Sequence, residues 1–276
     1  MRARDRSAHD RHTVRRCRAC DVGFTWPYDA TTAAAPTVLP ERGILRRVAD
    51  VITRWELRPV VDAVTAEGAV LDIGAGSGNR ALILARAGYR VTAVEPDAAE
   101  AAEARRQLAG RAVVRECAIE ALAGDDAGYG GAVLSHVLEH LGDPDATLRE
   151  TKQRLRAGGA LIIFVPNAAS AEARLFGGRW HGWEPARHRW HYTAATLTKV
   201  LADAGYIDID VRARGGWRYP ATLAFSLAPG LDPQLTGGLK GLLGRVLTAA
   251  LAPGALLEVL TGHGPQLVAI ARRPAA

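Results

Sequence analysis

From residue 69 onward, short apolar runs alternate with longer stretches in which apolar residues recur every three or four positions. The short runs read as buried strands and the longer stretches as helices packed on them, so the pattern predicts an α/β domain with a mostly parallel sheet. The first unit is the clearest. Val70, Leu71 and Ile73 form an apolar run with one acid inside it, Asp72, and Gly74, Gly76 and Gly78 follow before a helical pattern begins near Asn79. That is a strand, a tight turn and a helix start.

Further strands are predicted at Arg90–Val94, Arg111–Glu116, Gly131–Leu134, Ala160–Val165 and Tyr206–Val211, with helices over Arg80–Ala87, Asp97–Leu108, Asp143–Arg156 and Thr193–Ala202. Asp97 with Glu100 makes a capping box, and Asp143 before Pro144 is a cap followed by proline at the first helical position. Upstream, Ile44, Val48, Val51, Ile52, Trp55 and Leu57 share a helical spacing that predicts a packing helix or flap over residues 41–66. Downstream, Leu239, Leu242, Leu243, Val246, Leu247, Ala250 and Leu251 mark one helical stripe, suited to a core, a homodimer contact or a lipid-like acceptor. The chain divides into a basic segment with a linker, residues 1–42, and a domain over 43–276 with a lid at 167–193 and a helical insertion at 217–262.

With 276 residues, 48% hydrophobic and 23% charged, the chain is globular. Its net charge of +6 raises a nucleic-acid partner, but Lys152, Lys199 and Lys240 are its only lysines and the arginines are scattered among alanines. Nucleic acid is therefore not the expected partner, and the true basic cluster, Met1–Arg18, reads as a lightly ordered tail. Three cysteines are too few for a secreted disulfide framework. The polar N-terminus lacks a signal core, and no run of about 20 apolar residues exists to span a bilayer. A cytoplasmic location is expected.

The glycine turn lets a ligand lie against bare backbone. Asp72, two residues ahead of it, disfavours a pyrophosphate and attracts an ammonium or sulfonium. Glu95, at the carboxyl end of the second strand, can accept both hydroxyls of a ribose. The D-x-G-x-G-x-G stretch from Val70 to Gly78 resembles the first motif of class I S-adenosylmethionine-dependent methyltransferases. Ser135-His136-Val137-Leu138-Glu139-His140-Leu141 resembles the segment after strand four in ubiquinone-biosynthesis O-methyltransferases.

The resemblance runs from Leu57 to Arg273 and implies a Rossmann-like, doubly wound, seven-stranded sheet whose last strand, Gln266–Ala271, is antiparallel. It implies S-adenosylmethionine as cofactor, bound by Asp72, Gly74, Ala75, Gly76, Gly78, Glu95, Pro96, Ala118, Ile119 and Ser135. It further implies methyl transfer to a small-molecule acceptor, most naturally a hydroxyl oxygen, with His140 as the matched histidine and His136 beside it as candidate bases. The aromatic-rich loop from Phe176 to Tyr192 resembles a substrate-capping segment, which makes Trp180, His181, His188 and His191 acceptor contacts, while Trp183 and Trp190 equally well pin the loop. Cys17-x-x-Cys20 resembles half of a four-cysteine knuckle, so no metal is assigned unless further ligands complete a zinc site. An RNA or tRNA methyltransferase and a cofactor-binding, non-catalytic scaffold are the alternatives.

Overall fold

The computed structural model describes residues 2–4, 11–28, 51, 53–55, 57–64, 68–123, 128–214, 219–231 and 238–275. In chain order, β1 (Arg2–Arg4), β2 (Arg11–Arg16) and β3 (Gly23–Trp26) precede α1 (Arg58–Ala63). The main alternation is β4 (Ala69–Ile73), α2 (Asn79–Arg86), β5 (Arg90–Val94), α3 (Ala98–Leu108), β6 (Val113–Arg115), β7 (Tyr129–Ser135), α4 (Pro144–Arg154) and β8 (Leu155–Pro166). Then come α5 (Ala171–Phe176), β9 (Trp190–His191), α6 (Ala194–Asp203), β10 (Ile207–Arg214), α7 (Tyr219–Leu227), α8 (Gly238–Leu260) and β11 (Gln266–Arg272).

Seven strands form the main sheet in the order β10-β11-β8-β7-β4-β5-β6. β11 is antiparallel to both neighbours, and the rest share one direction. This is the α/β, Rossmann-like sheet with an antiparallel last strand that the alternation and the resemblance predict. Successive residues of the central strands feed opposite faces. Leu71, Ile73, Leu161 and Ile163 join one core cluster with Leu148 of α4 and Leu197 of α6. Val70, Ala160, Ile162 and Phe164 join the other, with Val60, Leu82 and Leu108 from α1, α2 and α3. Both faces are covered, as a parallel sheet requires.

Three expectations are corrected. β8 begins at Leu155 rather than Ala160, so Gly158 and Gly159 lie within it; a register shift between Tyr129 and Gly131 shows the glycines accommodating a bulge, not ending an element. The predicted helix over 41–66 is helical at Val51 and Thr53–Trp55, then restarts as α1, because Pro59 lacks an N–H and opens a new helix. Ile44, Val48, Ile52 and the linker lie outside the described residues, as do 217–218 and 232–237 of the helical insertion. The largest difference is at the N-terminus. Its basic stretch is not a tail but the first strands of a second sheet, β1-β2-β3-β9, whose last strand belongs to the predicted lid. Charge obscured β2, whose His12 is buried and which pairs with β3, the strand that carries the sheet on to β9.

The two glycines of β7 set how closely α1 lies on the sheet. A Cβ on Gly131 would stand 2.3 Å from Cγ2 of Val64, the residue that ends α1. Gly131→Ala is expected to destabilise the fold by about 1–3 kcal/mol in urea denaturation. Combined with Val64→Ala, the two losses should be less than additive; full additivity would show that this contact does not set the spacing.

Candidate active site

The chain passes from β4 to β5 and β6, then returns to β7 on the other side of β4. Strand order therefore reverses between β4 and β7, and the crevice at the carboxyl ends of such strands is where an open α/β sheet takes its ligand. A second cleft of about 590 Å³ lies by contrast among the strand starts, lined by Ala69, Arg90, Arg111 and Tyr129. It contains none of the predicted site residues.

The glycines after β4 all have positive φ, but they do different things. A Cβ at Gly74 would meet Val137 Cγ2 at 2.5 Å, so this glycine admits the segment after β7. At Gly78 it would lie 3.1 Å from Ala104 Cβ, so this one lets α2 start against α3. At Gly76 the nearest atom is Glu100 Oε2 at 3.8 Å, which leaves the backbone open on that side. The Gly76 N–H donates to Glu95 Oε2 at 2.8 Å, and the Asp97 N–H donates to Oε1 at 3.0 Å. The carboxylate is thus fixed across the turn, and its remaining lone pairs are available to a ligand. Asp97 itself caps α3 through the N–H groups of Ala99 and Glu100.

Asp72 is fully buried, and neither of its oxygens has a hydrogen-bond partner among the described residues. Arg80 Nε stands 3.9 Å away. Burial pushes the Asp72 carboxyl above its ordinary range, Glu95 adds to this, and Arg80 and the nearby Ala81 N–H, which is outside hydrogen-bond geometry, oppose it. Such an unpartnered acid suits a cationic ligand group that supplies the missing donors. Ala75, Ile119 and Ser135 are buried near the same strand ends, whereas Pro96 and Ala118 are exposed.

Beyond β7, His136 has φ 57°, and its ring lies between two partners. Nδ1 is 3.2 Å from Glu139 Oε1, and Nε2 is 3.1 Å from the side-chain amide nitrogen of Gln266. A carboxylate only accepts, so Nδ1 carries the proton and Nε2 is the free base that receives the amide N–H. Glu139 is fully buried. Burial disfavours its charge, yet the His136 hydrogen bond and the neighbouring His140, His136 and His188 outweigh that and hold its carboxyl at about 2.

His140 donates from Nδ1 to the Arg187 carbonyl at 2.8 Å, and His188 donates from Nδ1 to the Gly182 carbonyl at 3.0 Å. Their rings meet edge-on at 4.9 Å. Glu139, His140 and His188 thereby offer ligand atoms that all lie within 4.8 Å of one another, a donor set of the type that holds a divalent cation. Sequence spacing did not reveal this group, because His188 reaches it through the fold. Thr25 of β3 donates its hydroxyl to the His188 carbonyl and accepts from His191 Nε2, each at 2.8 Å. Burial lowers His188 to about 4 and His191 to about 3, so both are neutral near pH 7.

The other two predicted acceptor contacts join the same group at one remove, Trp180 through Trp183, whose ring meets His191 edge-on, and His181 through Glu184, which also faces His188. Trp180 donates its indole N–H to the buried Glu172 at 3.0 Å and packs in a small cluster with Ala173, Phe176 and Trp183. His181 rests edge-on against Phe225 of α7 at 5.6 Å, and its backbone N–H donates to Ser226 Oγ at 2.8 Å. Cys17 and Cys20 share one turn after β2, and among the described residues no further ligand joins them. Thr25, Glu139 and Gln266 are the contributors that sequence reading did not single out as site residues.

The methyltransferase domain family profile matches residues 42–211, more than half of the chain. The chain belongs to this methyltransferase domain family. It is 31% identical over 164 residues to a ubiquinone biosynthesis O-methyltransferase of Methylocella silvestris, covering 54% of this chain and 64% of that one. It is also 31% identical over 140 residues to a probable S-adenosylmethionine-dependent methyltransferase of Mycobacterium tuberculosis, covering 51% of this chain and 49% of that one. The methyltransferase domain chain thus spans roughly half to two thirds of these relatives. A solved S-adenosylmethionine-dependent methyltransferase from Thermotoga maritima shares its fold, with a TM-score of 0.54 at 18% identity over 82% of this chain and 90% of that chain. S-adenosylmethionine is the cofactor of this family's named members, and an unpartnered acid beside a bare glycine turn fits it.

The buried histidines make the methyltransferase domain acid-sensitive in a defined window. Their folded pKa values lie below the ordinary 6.5, so the unfolded chain takes up protons first and stability falls as pH drops from 6.5 towards 4 for His188 and 3 for His191. Each histidine should contribute a slope of about 1.4 kcal/mol per pH unit there. Glu139, held at about 2 against an ordinary 4.5, adds to the loss only below 4.5. Urea midpoints should therefore fall between about pH 6.5 and about pH 5, and less steeply in His191→Asn. Identical slopes for the two proteins would mean that His191 titrates normally.

Proposed function

We propose that the protein transfers the methyl group of S-adenosylmethionine to a hydroxyl oxygen of a small-molecule acceptor. The observation that carries this reading is the pairing of Asp72, buried with both oxygens unpartnered, with Glu95, held rigidly across an open glycine turn. Asp72 would face the cationic methionyl end of the cofactor, Glu95 the ribose hydroxyls, and Ala118, Ile119 and Ser135 the adenine side. The cofactor's sulfonium already activates the methyl group, so the chain has to align the acceptor and remove its proton.

For the proton, the geometry favours His136 over His140. The Nδ1–H of His136 is directed to a buried carboxylate that would stabilise the imidazolium once it forms, and its Nε2, which accepts the Gln266 amide N–H, would take the acceptor's proton once the acceptor hydroxyl displaces that amide. His140 has its Nδ1–H tied to a lid carbonyl within the Glu139–His188 group, which suits it to joining the lid to the crevice. His188 and His191, buried on the lid side, remain acceptor-side residues in this reading. The name of the Methylocella relative supports oxygen as the atom methylated.

Glu95→Ala should weaken S-adenosylhomocysteine binding at least about tenfold in calorimetry, the loss of two charge-assisted hydrogen bonds. Unchanged affinity would remove Glu95 from the site. With a panel of phenol and alcohol acceptors, His136→Gln should lower S-adenosylhomocysteine formation about 10²–10⁴-fold while cofactor affinity stays the same. If His140→Gln abolishes turnover and His136→Gln does not, the assignment of the base is reversed.

A further inference from the structure

The α8 helix is packed inside out. Gly241 and Gly244 are buried, whereas Leu239, Leu242, Leu243 and Val246 are 71%, 56%, 47% and 59% exposed. At about 100° per residue these four side chains form one stripe, and the two buried glycines lie about 150° from its centre on either side. An amphipathic helix in a soluble domain ordinarily turns its leucines inward. Here the small residues let α8 lie closely on the protein, and the leucines and valine face outward.

The charges say what such a face would meet. Lys240 and Arg245 are both exposed and fall about 110° to either side of the stripe's centre. Between Gly238 and Leu260 the first acid is Glu258, more than three turns beyond the stripe. A second copy of the chain docked through this face would bring the cations of two α8 helices together, with no acid on the first five turns of either helix to pair them. A membrane surface carrying anionic headgroups fits both features, because the apolar stripe can enter the acyl boundary while the two long cationic side chains reach up to phosphates.

We propose that α8 is a peripheral membrane-binding helix that seats the protein on an anionic lipid surface. No described helix is long and apolar enough to cross a membrane, so the helix would lie in the interface and not span it. The seat is coupled to the lid. α8 packs along α7, and α7 holds the lid turn His181–Trp183 through Ser226 and Phe225. The proposal goes beyond the proposed reaction and does not depend on it, because lipid binding is read without cofactor or acceptor.

Full-length protein is sedimented with vesicles of phosphatidylcholine alone, or of phosphatidylcholine mixed equally with phosphatidylglycerol. Expected is at least about tenfold stronger partitioning to the anionic vesicles, weakened by about 0.5 M salt. Leu242→Gln/Leu243→Gln/Val246→Gln should reduce partitioning to both vesicle types by a similar factor, with an unchanged circular dichroism spectrum. Lys240→Gln/Arg245→Gln should remove the preference for anionic lipid. Wild-type protein that stays in the supernatant overturns the proposal, as does a triple variant that binds as well as wild type. So does a wild-type dimer that the triple variant converts to a monomer in light scattering without any vesicle binding, since that result assigns the stripe to a second copy.

Discussion

The structure turns on one buried acid, Glu139. Its carboxylate holds the His136 ring, and its backbone carbonyl accepts the N–H groups of Arg189 at 2.8 Å and Trp190 at 3.0 Å. One residue thus ties the segment after β7 to the lid through both its side chain and its main chain. Burying an ionised carboxylate is costly unless donors surround it. Its surroundings are accordingly the most polar part of the interior, with imidazoles from three places in the sequence facing a single charge. The donor requirement of that charge keeps lid and sheet in one arrangement.

The second sheet follows from the same requirement. β9 is only two residues long, too short to hold a loop alone. It is held because β3 pairs with it and because Thr25 uses its one hydroxyl as both donor and acceptor, towards His188 and His191. The segment 11–28 therefore walls in the buried His188 and His191. Tyr28 extends that wall by donating its hydroxyl to the Arg187 carbonyl, and Trp190 completes it by donating to the Leu141 carbonyl.

What was legible in the sequence was local. The β4 turn could be read because Asp72, the glycines and Asn79 lie within one strand-turn-helix unit, and Glu95 because it ends the next strand. The order of strands beyond that came from resemblance, since an apolar run does not name its neighbours. The separate tasks of Gly74, Gly76 and Gly78 were not legible, because they depend on Val137 and Ala104, which meet the turn only in three dimensions. The same holds for the partner of the Trp180 indole N–H, the buried Glu172, which is shared with Thr222 of α7. The basic N-terminus misled for a related reason. Arg15 and Arg16 fall on opposite faces of β2, and its pairing with β1 and β3, not its charge, makes it a strand.

Two of the fully buried acids, Asp72 in β4 and Glu139 after β7, make an instructive contrast. Glu139 has one oxygen, Oε1, met by the His136 ring, with two further rings close by, while its Oε2 has no hydrogen-bond partner among the described residues. Asp72 sits at the same depth, one strand away, with both oxygens unpartnered and its nearest cation at 3.9 Å. Burial acts on both alike, yet the carboxyl of one is held low and that of the other is pushed up. The difference lies in which donors the fold supplies. The fold gives Glu139 Oε1 an imidazole donor and gives neither oxygen of Asp72 a hydrogen bond, beside Gly76, the one glycine of that turn whose outer face is open. The electrostatics thus divide the crevice: beside His188 an acid kept ionised by neighbouring imidazoles, and beside the glycine turn an acid whose charge burial disfavours.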